Sequence, residues 1–183
     1  EIRALGRHAF AMPTDVTNAS QLDALVKRTV SELGRIDILV NVAGGTPPMA
    51  AMGLTDEELE EAFHFNVTSV FHLSKACAPH MAKNGGGSIV NISSAMSHRV
   101  DSGFVAYGAA KAALSHMTRL LAHEWAPKIR VNAIAAGATL TNALQIVTLM
   151  EGVQEQMELA TPMARLGDPV DIRALVDETI ARR

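Results

Sequence analysis

The 183-residue sequence is short of several things, and each shortage excludes a class of protein. No apolar run approaches the ~18 residues that a membrane-spanning helix needs, so no membrane partner is expected. A single cysteine, Cys77, cannot form an internal disulfide. That fits a reducing compartment, and the expected location is the cytoplasm. The opening Glu-Ile-Arg-Ala-Leu-Gly has the character of neither a secretory nor a transit signal and reads like the tail of a helix. Acidic and basic residues nearly balance, 19 against 16, and a net charge of −3 gives no reason to expect a nucleic-acid partner. Seven histidines form no ligand cluster. His64, His72 and His80 step by eight, about 80° around a helix each time, so no metal site is expected. A serine hydrolase would want a Gly-x-Ser-x-Gly elbow, and the sequence has none. Aromatics are scarce at 4%, with one tryptophan, Trp125, and one tyrosine, Tyr107.

What is present is a globular composition, 48% hydrophobic with a mean hydropathy of +0.15. Apolar runs at His8–Met12, Ile36–Val40, Ser88–Ile92 and Ile129–Ile134 read as strands. Helical patterns lie between and after them: about 18–33, closed by Gly34; about 55–81, opened by the capping box Thr55-Asp56-Glu57-Glu58; 104–125; 143–159; and 169–180, with Asp168 as cap. Strands alternating with helices predict an α/β domain with a parallel sheet, whose ligand lies beyond the carboxyl ends of the strands.

The chemistry concentrates there. Tyr107 and Lys111 are four apart on one helix and so share a face. A free phenol holds its proton at neutral pH, and a nearby cation favours phenolate, which equips such a tyrosine for proton transfer to or from an alcohol or carbonyl. Ser93 and Ser94 follow the strand at Ile89–Ile92, where a hydroxyl would enter the crevice. Taken alone, Tyr-x-x-x-Lys is also an ordinary helix-surface pair.

In combination these motifs resemble the short-chain dehydrogenase/reductase superfamily. Ser94 precedes Tyr107 by thirteen residues and Tyr107 precedes Lys111 by four, which is the family's catalytic spacing. Asn41-Val42-Ala43-Gly44 resembles the family's Asn-Asn-Ala-Gly signature, and Asn66 its catalytic asparagine. Asp15-Val16 is similar to the pair that contacts adenine. Arg130–Ile134 with Gly137 and Thr141 is similar to the run that holds the nicotinamide carboxamide, and Arg165–Pro169 to the entry of the last helix.

The resemblance implies a Rossmann-like, doubly wound parallel sheet in one domain over residues 1–183, without the first βαβ unit and the last strand. It implies an oxidoreductase that moves hydride between NAD or NADP and a secondary alcohol or ketone. Tyr107 would exchange the proton, and Ser94 would hold the substrate oxygen. Lys111 would favour the phenolate and bind the nicotinamide ribose, and Asn66 would anchor a water connecting Lys111 to solvent. Asp15, Val16, Asn41, Ala43, Gly44, Gly137, Thr139 and Thr141 would complete the cofactor site. Ser94, Met96, Tyr107 and Leu144 would meet the substrate. Methionines 49, 52, 96, 150 and 157 suit a broad apolar pocket as well as they suit core filling. Residues 139–144 and 161–163 feel closest to the bacterial hydroxysteroid-dehydrogenase and ketoacyl-reductase branches, implying a steroid-like or acyl substrate. The family's usual homotetramer, or a homodimer, would form through the helices at 55–81 and 104–125.

The sequence departs from the family in several places. The family's Thr-Gly-x-x-x-Gly-x-Gly loop is absent, because Gly85-Gly86-Gly87 precedes a strand instead of following one. The strand that chooses between NAD and NADP is also absent, so His8–Met12 would have no neighbour. Val42 and Ala136 replace an asparagine and a proline of the family pattern. These departures support an alternative: a fragment that keeps the catalytic residues without holding a dinucleotide.

Overall fold

A computed structural model describes residues 2–182, with all their side chains except those of Ala143, Ile146 and Val147. In chain order its main elements are α1 (Ala19–Leu33), β1 (Ile38–Asn41), α2 (Asp56–Phe63), α3 (Ser69–Lys83), β2 (Gly87–Ser94), α4 (Val105–Trp125), β3 (Ile129–Ala136), α5 (Asn142–Thr148), α6 (Val153–Leu159) and α7 (Pro169–Ala181). Three parallel strands form a sheet in the order β1-β2-β3, with Asn41 opposite Asn91 and Ser94 opposite Ala136.

Side chains alternate across a strand, and the contacts of β2 show which face is which. Ile89 joins a core cluster with Val26 of α1, Cys77 and Met81 of α3, and Leu121 of α4. Two residues on, Asn91 reaches Thr118 of α4, and Ser93 reaches Ser115. Arg130 of β3, between the clustered Ile129 and Val131, points to the opposite face and donates to Thr179 O and Ile180 O of α7. Cationic donors at the carbonyl end of a helix satisfy its last acceptors and complement its dipole. Helices therefore cover both faces, as a doubly wound sheet requires.

Local sequence explains the boundaries. Thr55 Oγ1 accepts from Glu58 N while Glu58 Oε2 accepts from Thr55 N, the capping box expected from the sequence. Asp168 caps α7 in the same reciprocal way with Asp171. Three expectations need correction. His8–Met12 forms no strand, because a strand exists only against a hydrogen-bonding neighbour and none is present among the described residues. Helix 55–81 is interrupted by a π turn at His64–Thr68. Helix 143–159 is two helices, divided before Gly152, whose φ of 75° lies in the left-handed region.

Candidate active site

The site is built on the end of β2 and the helix behind it. On α4, Lys111 is 3% exposed although it carries a charge. Its Nζ donates to Ile92 O at 2.9 Å, and burial pushes its pKa down to about 8. The same Nζ lies 5.7 Å from the Tyr107 ring centroid, one helical turn earlier. Tyr107 is half-buried and packs at a tilt against Phe104, with 6.3 Å between centroids. Ser94, 8% exposed, ends β2, and its Oγ accepts from Met96 N at 3.2 Å.

Asn66 enters from the π turn and is fully buried. In a π turn the backbone partner is displaced by one residue, and such turns recur at functional sites. Here the Asn66 amide takes Ala62 O at 2.8 Å. It also donates to Gly45 O at 3.1 Å and Thr46 Oγ1 at 3.2 Å, and its Oδ1 accepts from Gly45 N at 2.9 Å. These bonds pin the loop after β1 to the π turn. Gly44 lies where the two meet α4: a Cβ added there would fall 2.8 Å from Lys111 Nζ and 2.9 Å from Asn66 Oδ1. Any larger residue there would have to push one of these two groups aside. The loop after β1, the π turn and α4 therefore converge on Lys111.

The remaining predicted residues are more dispersed. Asp15 is exposed, and hydrogen bonds from Thr17 Oγ1 and N hold its carboxyl below the usual carboxylate range. His64 Nε2 meets Thr17 O at 2.9 Å, which places the Asp15-Val16 turn beside the start of the π turn. Ala43 and Gly137 are exposed. Thr139 bonds Gly137 O through its hydroxyl and pairs in a bridge with Gly167, and Thr141 Oγ1 accepts from Leu144 N at the start of α5. Met96 and Leu144 are half-buried. Asn41 differs in kind, since its amide donates to Asn91 Oδ1 at 2.8 Å and Ser74 Oγ at 3.3 Å within the interior. Sequence reasoning missed Ile92 O as the acceptor for Lys111, because a carbonyl has no side-chain signature. Asn91 and Thr118 escaped it as well, although a lone polar residue in the apolar run Ile89-Val90-Asn91-Ile92 is a signal.

A dinucleotide can be tested against these groups. An ammonium has three protons, and Lys111 spends one on Ile92 O; no other hydrogen bond from it is recorded among the described residues. The Gly44 cradle keeps side-chain bulk away from the same atom. An ammonium with protons to spare beside Tyr107 suits a ligand rich in hydroxyls, such as the ribose of a dinucleotide.

The family model described as enoyl-(acyl carrier protein) reductase matches residues 1–177. An uncharacterized oxidoreductase of Mycobacterium tuberculosis is 45% identical over 175 residues, covering 95% of this chain and 66% of that protein. The 7α-hydroxysteroid dehydrogenase of Escherichia coli K12 is 43% identical over 173 residues, covering 94% and 67%. A solved 7α-hydroxysteroid dehydrogenase, in complex with NADH and 7-oxo glycochenodeoxycholic acid, superposes with a TM-score of 0.90 at 41% identity, covering 96% of this chain and 68% of that one. The chain belongs to the short-chain dehydrogenase/reductase superfamily, a family of NAD(P)-dependent oxidoreductases. It spans about two thirds of the length of the curated relatives it matches.

Proposed function

We propose that the protein carrying this chain transfers hydride between NAD(P) and a secondary alcohol or ketone, acting on an apolar, steroid-like or acyl substrate. The observation that carries this reading is the buried Lys111 ammonium beside Tyr107, one residue pair serving proton transfer and the same end of β2 supplying Ser94. When bound, the nicotinamide supplies or accepts the hydride. Ser94 Oγ donates to the substrate oxygen as negative charge develops there, and Tyr107 gives that oxygen a proton or takes one from it. Lys111 favours the phenolate and holds the ribose. Asn66 fixes the loop and π turn around Lys111 and anchors the water that connects it to solvent. Half-buried Met96 and Leu144 give the substrate side its apolar character, and flexible methionines suit a wide rigid ligand.

Exposed Phe71 on α3 and Val105 and Leu120 on α4 support assembly into a homotetramer, or a homodimer, through these helices. No helix among the described residues is long and apolar enough to cross a membrane. A cytoplasmic location agrees with the single free cysteine.

The test is turnover by the full-length protein of 7α-hydroxysteroids, their 7β epimers and β-ketoacyl esters, with NAD and NADP in turn. Production of reduced or oxidised dinucleotide with a steroid or acyl substrate is expected, the 7α epimer being preferred among the steroids. Saturable dinucleotide binding without turnover of any of these would overturn the substrate reading.

A further inference from the structure

Ser93 stands beside the substrate-facing Ser94 but on the opposite face of β2, toward α4. It is 3% exposed. Its Oγ lies 3.1 Å from Lys111 O and 2.7 Å from Ser115 Oγ. A carbonyl can only accept, so the Ser93 proton goes to Lys111 O, and Ser115 must then donate to Ser93. The two hydroxyls form a one-way chain, Ser115 to Ser93 to the Lys111 carbonyl, with each proton used. Lys111 is therefore held at both ends by consecutive residues of one strand: its main chain by Ser93 and its ammonium by Ile92 O. On α4 the polar positions 107, 111, 115 and 118 recur every three or four residues and form one stripe against β2.

From this geometry we propose that Ser93, backed by Ser115, is a positioning pair that sets where the Lys111 ammonium sits relative to Tyr107 and substrate. The inference rests on the hydride-transfer reading for its effect on turnover, and on geometry alone for its effect on Lys111. A hydroxyl bond to the carbonyl of this turn fixes the height and rotation of α4 on β2. Without it the turn is free to rise, and the Nζ–Ile92 O bond lengthens. Burial then disfavours the ammonium with less to oppose it. Tyr107, on the same helix, is the titratable group beside Lys111. Toward that lysine, β2 presents Ile92 O and Ser93, and the π turn presents Asn66, all uncharged.

The experiment uses the full-length protein with Ser93→Ala, Ser93→Thr, Ser93→Val and Ser115→Ala. Threonine and valine add the same bulk and differ in the hydroxyl. The Lys111 side-chain titration is followed by NMR, which needs no turnover. Ser93→Ala and Ser93→Val are expected to lower its midpoint by about 0.5 pH unit, with Ser93→Thr restoring it. Turnover is expected to fall roughly 3–10-fold in kcat, with KM for the alcohol unchanged. Ser93→Ala combined with Ser115→Ala should cost no more than Ser93→Ala alone, because Ser115 acts through Ser93. An unchanged or raised Lys111 midpoint, or losses that multiply in the double variant, would overturn the proposal. A wild-type protein that turns over no alcohol or ketone would instead defeat the hydride-transfer reading and leave the titration result standing.

Discussion

Lys111 carries a charge into a site that is nearly dry, and that choice costs stability. Its folded pKa, about 8, lies below the ordinary lysine value of 10.5. Below about 8 both folded and unfolded chains hold the proton, so the folded state bears the whole penalty. Between about 8 and 10.5 the unfolded chain binds more protons than the folded one, and stability rises with pH. Lys111→Met removes that titration. In denaturant melts at a series of alkaline pH values, the variant should be the more stable protein at neutral pH. Its advantage should shrink by up to roughly 3 kcal/mol as pH climbs past 10. Cys77, pushed up to about 11 by burial, gives a slope of opposite sign, but it is common to both proteins and cancels in the difference. An advantage that does not change with pH would mean that Lys111 is not strained by burial. Spacing alone singled out Lys111. Its burial and its carbonyl partner were invisible there, because they depend on how α4 lies against β2.

At the scale of elements, the sheet and its helices are tied by a buried polar ladder. Asn41 of β1 donates to Asn91 of β2, which donates to Thr118 of α4, and Ser74 of α3 completes the set. Buried polar groups are costly when left unpaired, so removing the middle member harms more than its own bonds. Asn91→Leu should destabilise by about 2–4 kcal/mol with an unchanged denaturant m-value. Asn41→Leu combined with it should cost less than the sum, since the orphaned amide is then gone. Strictly additive losses would refute the ladder. Sequence periodicity located β1, β2, β3 and α4 to within a few residues, because buried β-branched runs and capping residues are local signals. It marked Asn41 but not its interior partners, since a motif states which residue recurs and not which partner it meets 50 positions away. It read His8–Met12 as a strand, because pattern records the wish to pair and only the tertiary structure supplies the neighbour. The π turn was equally hidden. Its one signal is the asparagine whose side-chain amide donates to Ala62 O, one turn earlier.

Among the described residues, β2 is the strand flanked on both sides, and Ser94 and the carbonyl that binds Lys111 lie at its end. β2 pairs with β1 and with β3 and packs against α4, and Gly44 and Asn66 meet Lys111 from the loop after β1 and the π turn. Preorganised groups on rigid elements are what proton and hydride transfer require, since small misplacements are expensive in rate. On the proposed function Tyr107 moves the proton in this frame, and most of the hold on the dinucleotide comes from other groups. The most direct measurement is single-turnover kinetics of the full-length Tyr107→Phe variant with saturating dinucleotide and a substrate that the wild type accepts. The account predicts hydride transfer slowed by about 10³-fold or more, with dinucleotide affinity within a few-fold of wild type. Hydride transfer at the wild-type rate in Tyr107→Phe would contradict it.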